Sequence, residues 1–346
     1  MGDIPQSGTK VHQNVSEFYA NELRKAKCNE KLTIDQGLVC PVPDARSCGT
    51  QASVKLYNDA LNCIHEDLLK VSFGCGIPFP PSLNGCSVLD LGSGTGREVY
   101  ILSRLVGKSG RVVGVDMIPE MIETASSYAK WHATAFGYAN VEFKLGYLEK
   151  LNDIGIEANS FDVVVSNCVI NLSADKRQVF RNAYDVLKPG GEMYFSDVYV
   201  NKPQPPELAL NNIAYNSGFS GALTWDSFTT LVTEIGFEGP FVTKSMPYPI
   251  YPEELKKQLD GYQFWSRTCR LFKTTCDVFT RNSEPANGNV ENKTTVTYKG
   301  DCGAGEDVFV LDEDVIFKVD VPQSVPVSIA NCLKKSRYEN LFSFSD

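Results

Sequence analysis

The sequence predicts an α/β fold: a doubly wound, mostly parallel sheet with helices on both faces, joined to a smaller C-terminal α+β domain. Three observations predict it. An apolar strand, Val88-Leu89-Asp90-Leu91, breaks into the glycine-rich turn Gly92-Ser93-Gly94-Thr95-Gly96 just ahead of a helix pattern. From Cys86 onward, strand-like and helix-like runs alternate with the period of strand–helix–strand units, which gives a parallel sheet covered on both sides. After a break at Asn201-Lys202-Pro203-Gln204-Pro205-Pro206, the last part of the chain carries short strand-like runs of a different spacing.

Taken in order, Val11 to Leu23 has an amphipathic helical pattern. Ala52 to Leu69 is a second helix candidate, with Val54, Leu61, Leu68 and Leu69 on one stripe. Between them, Cys28 to Ser47 is rich in Cys, Pro and Gly and reads as a loop. Strands are expected over 87–91, 111–116, 141–145, 161–167 and 191–198, and helices over 97–106, 119–136 and 176–187. Pro119 suits a first helical turn, and Lys188-Pro189-Gly190-Gly191 stops a helix ahead of the fifth strand. Trp225 to Ile235 is a further helix, ended by Gly236. Short strands are expected at Thr294–Tyr298, Val308–Leu311 and Val315–Val319, after a polar linker or loop from Arg281 to Lys293. The expected division is an N-terminal helical segment over 1–70, a nucleotide-cofactor domain over 71–240 and a C-terminal domain over 241–346.

Composition narrows the function classes. The 346 residues are 42% hydrophobic, enough for a substantial core. A net charge of −9 without a basic run argues against a nucleic-acid partner. Met1-Gly2-Asp3-Ile4-Pro5 starts no charged-then-apolar pattern, and no apolar run approaches the roughly 20 residues that span a bilayer. No secretory signal and no membrane partner are expected, and the expected location is cytoplasmic. The 11 cysteines are odd in number, contain no C-x-x-C pair and accompany only 3 histidines, so neither a disulfide scaffold nor a usual zinc site is expected.

The glycine turn marks a cofactor site, because glycines let the backbone approach a ligand and the helix N-terminus presents free amides. A dinucleotide fingerprint begun at Gly92 would need glycine where Arg97 stands. The form G-x-G-x-G at Gly92, Gly94 and Gly96, with Asp90 before it, resembles the first motif of S-adenosylmethionine (SAM) methyltransferases. The next strand, Arg111 to Asp116, ends in an acid placed to accept hydrogen bonds from both ribose hydroxyls, with Met117 beside it. Topology sets Leu148 and Glu149, at the tip of the third strand, against the adenine. Asn167 and Cys168, at the tip of the fourth strand, should face the reacting methyl. At that position Cys168 is either a buried apolar thiol or a thiolate that holds a soft substrate.

Several longer segments resemble arsenite methyltransferases. They include Val164 to Leu172 (VVSNCVINL), Gly74-Cys75-Gly76, Ile64-His65-Glu66-Asp67, Glu192 to Tyr199 (EMYFSDVY), Gly221-Ala222-Leu223 and Lys335-Ser336-Arg337-Tyr338. The resemblance runs from about residue 15 to 345. It implies a class I SAM-methyltransferase (Rossmann-like) sheet, SAM as cofactor, and trivalent arsenicals or their glutathione conjugates as substrate. It also implies a thiol reductant, glutathione or thioredoxin, as partner. By the same resemblance Cys75 and Cys168 hold arsenic, and Cys40 or Cys48 closes a disulfide during turnover, Cys40 being the better match.

The chain also departs from the family pattern. Gly218 stands where a third arsenic-binding cysteine is usual, with Ser217 and Ser220 nearby. Phe73 replaces a tyrosine and keeps a ring able to face a sulfonium. Three readings stay open: methylation of arsenite or methylarsenite, methylation of another small organic molecule after loss of the third thiol, or a non-catalytic SAM- or metalloid-binding protein. Cys269 and Cys276 are further thiols that could approach the site.

Overall fold

The structure is a computed structural model that describes residues 8–28, 51–70, 79–205, 207–208, 211–250, 253–274, 292–300 and 307–345. Cys40, Cys48, Phe73, Cys75, Cys276 and most of the predicted 281–293 linker lie outside the described residues.

Among the described residues, three helices precede the sheet: α1 (Gly8–Lys27), α2 (Gln51–Leu61) and α3 (Glu66–Leu69). The expected 52–69 helix is thus two. His65 ends the interruption by capping α3, its Nδ1 accepting from Asp67 N, while its own N–H donates to His132 Nε2. The alternating region gives β1 (Ser87–Leu91), α4 (Arg97–Val106), β2 (Arg111–Asp116), α5 (Pro119–Ser127), α6 (Ala129–Phe136), β3 (Val141–Leu145), β4 (Phe161–Asn167), α7 (Lys176–Val186) and β5 (Leu187–Val200). The single helix expected over 119–136 breaks at Tyr128, whose hydroxyl donates to Asp67 and whose ring lies 4.6 Å from that of His65. β5 starts earlier than expected. The Lys188–Gly191 stretch stays on the sheet because Gly190 N donates to Lys273 O and Lys273 N to Gly191 O.

Then come α8 (Asn212–Asn216), β6 (Leu223–Thr224), α9 (Trp225–Ile235), β7 (Glu238–Pro247), α10 (Glu253–Gln258) and β8 (Phe264–Phe272). The main sheet runs β3-β2-β1-β4-β5-β8-β7, with β6 also on β5. β1 to β5 are parallel, and β8 and β7 join antiparallel. The central strands SVLDL, RVVGVD and FDVVVSN are buried along nearly their whole length, as parallel strands covered on both faces must be. Strand order reverses between β1 and β4, so a crevice opens at their carboxyl ends.

Sequence reading placed a boundary near residue 240, yet β7 and β8 extend the central sheet beyond it. The remaining strands, β9 (Lys293–Tyr298), β10 (Val308–Asp312), β11 (Val315–Lys318), β12 (Pro322–Pro326) and β13 (Phe342–Ser345), form two small sheets with α11 (Val327–Lys335). They pack around a core of Tyr298, Phe309, Phe317, Leu333 and Phe342 that also takes in Phe241 of β7 and Phe272 of β8. Glu192 of β5 ties this unit to the main sheet. It is fully buried, paired with Arg270 at 3.1 Å and Arg337 at 2.8 Å, and accepts from the Tyr338 hydroxyl. Arg337 also donates to the carbonyls of Pro81 and Ser82, just ahead of β1.

Candidate active site

A cleft enclosing about 1280 Å³, its solvent-open mouth included, lies at the strand reversal. Its floor is the glycine turn. Gly92 has φ +78°, and a Cβ there would meet Val169 at 2.4 Å; Gly94 has φ +53°, and a Cβ there would meet nothing within 4 Å. Gly92 therefore serves close packing, whereas Gly94 leaves room above the backbone for a ligand. Gly96 does not line the cleft; it precedes α4 with its N–H on Ser93 O.

Asp116, at the end of β2, holds the turn in place. Its Oδ2 accepts from Gly94 N at 2.9 Å and its Oδ1 from Ile118 N at 2.9 Å. Burial pushes its carboxyl up, against the opposing effect of those amides. The ribose role expected of Asp116 would thus fall to whatever acceptor capacity these two amides leave. Asp90 is 4% exposed, and burial, then repulsion from Glu98 and Asp116, raises its carboxyl well above the ordinary range. Its Oδ2 and the Ser93 Oγ are buried without a hydrogen-bond partner among the described residues. Leaving such an atom bare costs roughly 1–3 kcal/mol. Asp90, Glu98, Asp116, Glu149 and Asp197 all line the cleft. An acid-rich crevice with orphaned polar atoms and an open glycine cradle suits a ligand bearing an ammonium and a sulfonium, and SAM fits it.

At the far wall Met117, Leu148 and Glu149 line the cleft, as does Asn167. Glu149 Oε1 accepts from Ser173 Oγ and lies 3.1 Å from His12 Nε2. Burial raises its carboxyl, but bonds from Ser173, its own amide and His12 outweigh this and hold it below the ordinary value. His12 also stacks on Tyr147 at 4.7 Å. With Val15 and Tyr19 it makes α1 a cover over the cleft. Sequence reading gave this helix no role; its only signal was the apolar stripe through Val11 and Val15.

Cys168 follows β4 with φ +55°, an uncommon conformation for a residue with a side chain, and its N–H donates to Ser196 O at 2.8 Å. It lines the cleft beside Asn216, Ser217, Gly218 and Tyr248. Cys168 is disulfide-bonded, and its partner is none of Cys28, Cys63, Cys86 or Cys269, which carry free thiols. Cys269 cannot approach: it is fully buried within the core beneath β5 and β8, with its thiol pushed up to about 12 by burial. Ser217 Oγ donates to Ile213 O at 2.6 Å and Ser220 Oγ to Leu208 O at 2.9 Å, so both hydroxyl protons are already used. Asp197, at the carboxyl end of β5, is driven to about 6 by burial, against the amides of Val198 and Asn171. Tyr248 and Asn216 carried no sequence signal.

No group of three or more His, Cys, Asp or Glu side chains able to hold a metal ion occurs among the described residues. No helix among them is long and apolar enough to cross a membrane.

The family description "Methyltransferase domain" matches residues 82–236, and "Arsenite methyltransferase C-terminal domain" matches residues 291–346. An arsenite methyltransferase of Aquipseudomonas alcaligenes is 35% identical over 96% of this chain and 90% of its own length. The Homo sapiens arsenite methyltransferase is 38% identical over 96% of this chain and 83% of its own. The crystal structure of an arsenic(III) S-adenosylmethionine methyltransferase from Chlamydomonas reinhardtii superimposes with a TM-score of 0.75 at 34% identity, covering 84% of this chain and 95% of that one. A glycine-floored, acid-lined cleft on this sheet, and likeness along nearly the whole chain, lead to one conclusion: the chain is a SAM-dependent methyltransferase and belongs to the arsenite methyltransferase family.

Proposed function

We propose that the protein transfers methyl groups to trivalent arsenicals held by cysteine thiolates at the end of the cleft. The observation that carries this reading is Cys168, a cysteine at the tip of β4 in the same cleft as the glycine turn. Arsenic(III) is soft and prefers thiolate ligands. Asp90, Gly92, Gly94, Asp116, Met117, Leu148, Glu149 and Asn167 would hold SAM, with Phe73 as a further residue of that set, while Gly96 serves only to lead the turn into α4. When bound, SAM supplies an electrophilic methyl group on a sulfonium. The chain's part is orientation and exclusion of water. The positive charge of bound SAM would oppose the burial that raises the Asp90 carboxyl and so favour its ionised form, and α1 covers the site through Val15, Tyr19 and His12. Cys168 and Cys75 would present arsenic with its lone pair toward the methyl group, and Cys40 would exchange disulfides with them. Because Cys168 is found in a disulfide, the reading requires a thiol reductant such as glutathione or thioredoxin before substrate binds, and a cytoplasmic setting would provide one. The hydroxyls of Ser217 and Ser220 have already donated their protons, so they have no donor left for an organic acceptor.

The test is SAM turnover by the purified protein with glutathione and arsenite or methylarsenite, the arsenic products being separated by mass. Methylated arsenic is expected, and Cys168→Ser or Cys75→Ser should abolish it while S-adenosylhomocysteine still binds. Turnover without arsenic product, or loss of nucleoside binding in either variant, would overturn the reading.

A further inference from the structure

Asn216 is the last residue of α8 and lines the cleft beside Cys168 and Gly218. It is 5% exposed, and its side-chain Oδ1 is a buried acceptor without a hydrogen-bond partner among the described residues. Its neighbours do not answer it. The Tyr19 hydroxyl donates to the backbone oxygen of Asn216 at 2.9 Å, which fixes the main chain and leaves the amide group to face the cleft. The Ser217 hydroxyl is spent on Ile213 O. A donor from a bound molecule is what this atom lacks.

Gly218 supplies the second observation. Its φ is +78°, it follows the end of α8, and a Cβ built on it meets nothing within 4 Å. That position therefore adds no ligand to an arsenic atom nearby and leaves space there.

We propose that Asn216 is a specificity-determining residue: its side-chain carbonyl accepts a hydrogen bond from the hydroxyl that arsenic retains when only two thiols hold it. The inference rests on the arsenical reading above. Each As–S bond forms when a thiol sulfur displaces a hydroxyl from arsenic, and the hydroxyl leaves as water with the thiol's proton. Arsenous acid has three hydroxyls, so two exchanges leave one As–OH. Methylarsonous acid has two hydroxyls, so the same exchanges leave none, the third position being the methyl group. Asn216 thus favours the unmethylated substrate, because a site built to accept a hydroxyl discriminates against the analogue that lacks it.

The experiment measures binding by calorimetry. Full-length protein, saturated with S-adenosylhomocysteine and reduced with a phosphine so that no added thiol competes, is titrated with arsenite and with methylarsenite. Asn216→Leu should weaken arsenite about tenfold, the worth of one hydrogen bond, and leave methylarsenite within about twofold. Asn216→Asp, which keeps an acceptor, should bind arsenite within about threefold of the parent. In a Gly218→Cys background a third thiolate replaces the hydroxyl, so adding Asn216→Leu should change arsenite affinity no further. Equal loss of both arsenicals in Asn216→Leu, no loss of either, or a full loss in Gly218→Cys/Asn216→Leu would overturn the inference. A parent protein that binds neither arsenical would remove the functional reading itself, and the inference with it.

Discussion

Asp197→Asn should flatten the dependence of stability on pH. Burial carries the Asp197 carboxyl from 3.8 to about 6 in the folded protein. A carboxyl whose folded value is raised binds its proton more tightly when folded. Its stabilising contribution is full below the unfolded value and is lost as pH rises through the folded one. Two pH units at about 1.4 kcal/mol each make that contribution about 3 kcal/mol. Asparagine does not titrate. It can satisfy only one of the two amides that Asp197 now serves, Val198 N at 2.8 Å and Asn171 N at 3.1 Å. The loss of the other costs about 1 kcal/mol. The variant should therefore be less stable than the parent at about pH 4 and more stable at about pH 8, the difference changing by roughly 2 kcal/mol between them because part of the contribution is already lost at about pH 4. Urea unfolding of both proteins without SAM, at the two pH values, measures it. Asp90 and Asp116 titrate in both chains and cancel from the comparison. A difference that does not change with pH would show that Asp197 titrates in the folded protein as it does in the unfolded chain, and that the argument from burial fails.

Other perturbations separate packing from binding. Gly94→Ala should cost about 1 kcal/mol for its left-handed backbone but abolish tight S-adenosylhomocysteine binding, because its Cβ points into the open cradle. Gly92→Ala should add a clash with Val169, costing a further ~1–3 kcal/mol; unfolding and ligand titrations on the two variants distinguish the cases. Gly218→Cys should lose about 1 kcal/mol of stability for the same backbone reason while binding arsenite more tightly, and unchanged affinity in calorimetry would mean that this position does not face the acceptor. Arg270→Met leaves Glu192 a buried charge with fewer partners and should cost ~3–5 kcal/mol in urea unfolding; adding Glu192→Met should return much of that loss.

The sheet was readable from sequence because buried parallel strands are written as apolar runs. Val88 to Leu91, Val112 to Val115 and Val163 to Val165 have almost no exposed face, and glycine marks an end of the first two, Gly92 after one and Gly110 ahead of the other. Residues near the glycine turn were readable for the same reason, since their roles follow from strand order. What lies across the cleft was not. His12, Tyr19, Asn216 and Tyr248 reach it through long-range contacts, such as the Tyr19 hydroxyl on Asn216 O, that leave no local pattern. Breaks within helices also escaped, because Tyr128 and His65 interrupt them through side-chain contacts with one another rather than through glycine or proline. The short spacing of the last strands was visible, but nothing in 241–272 announced that β7 and β8 would complete the central sheet.

The buried Glu192 has a consequence for what counts as a separable piece of this chain. All three of its partners, Arg270, Arg337 and Tyr338, lie beyond residue 236, where the methyltransferase-domain similarity stops. Cut there, β5 would keep a carboxylate in its interior with nothing to answer it, on the very strand that carries Asp197 to the cleft. The boundary drawn by similarity is therefore not a boundary of cooperativity. Heated or exposed to denaturant, the catalytic sheet and the C-terminal unit should melt as one transition, and a truncated chain ending near residue 236 should be less than a domain.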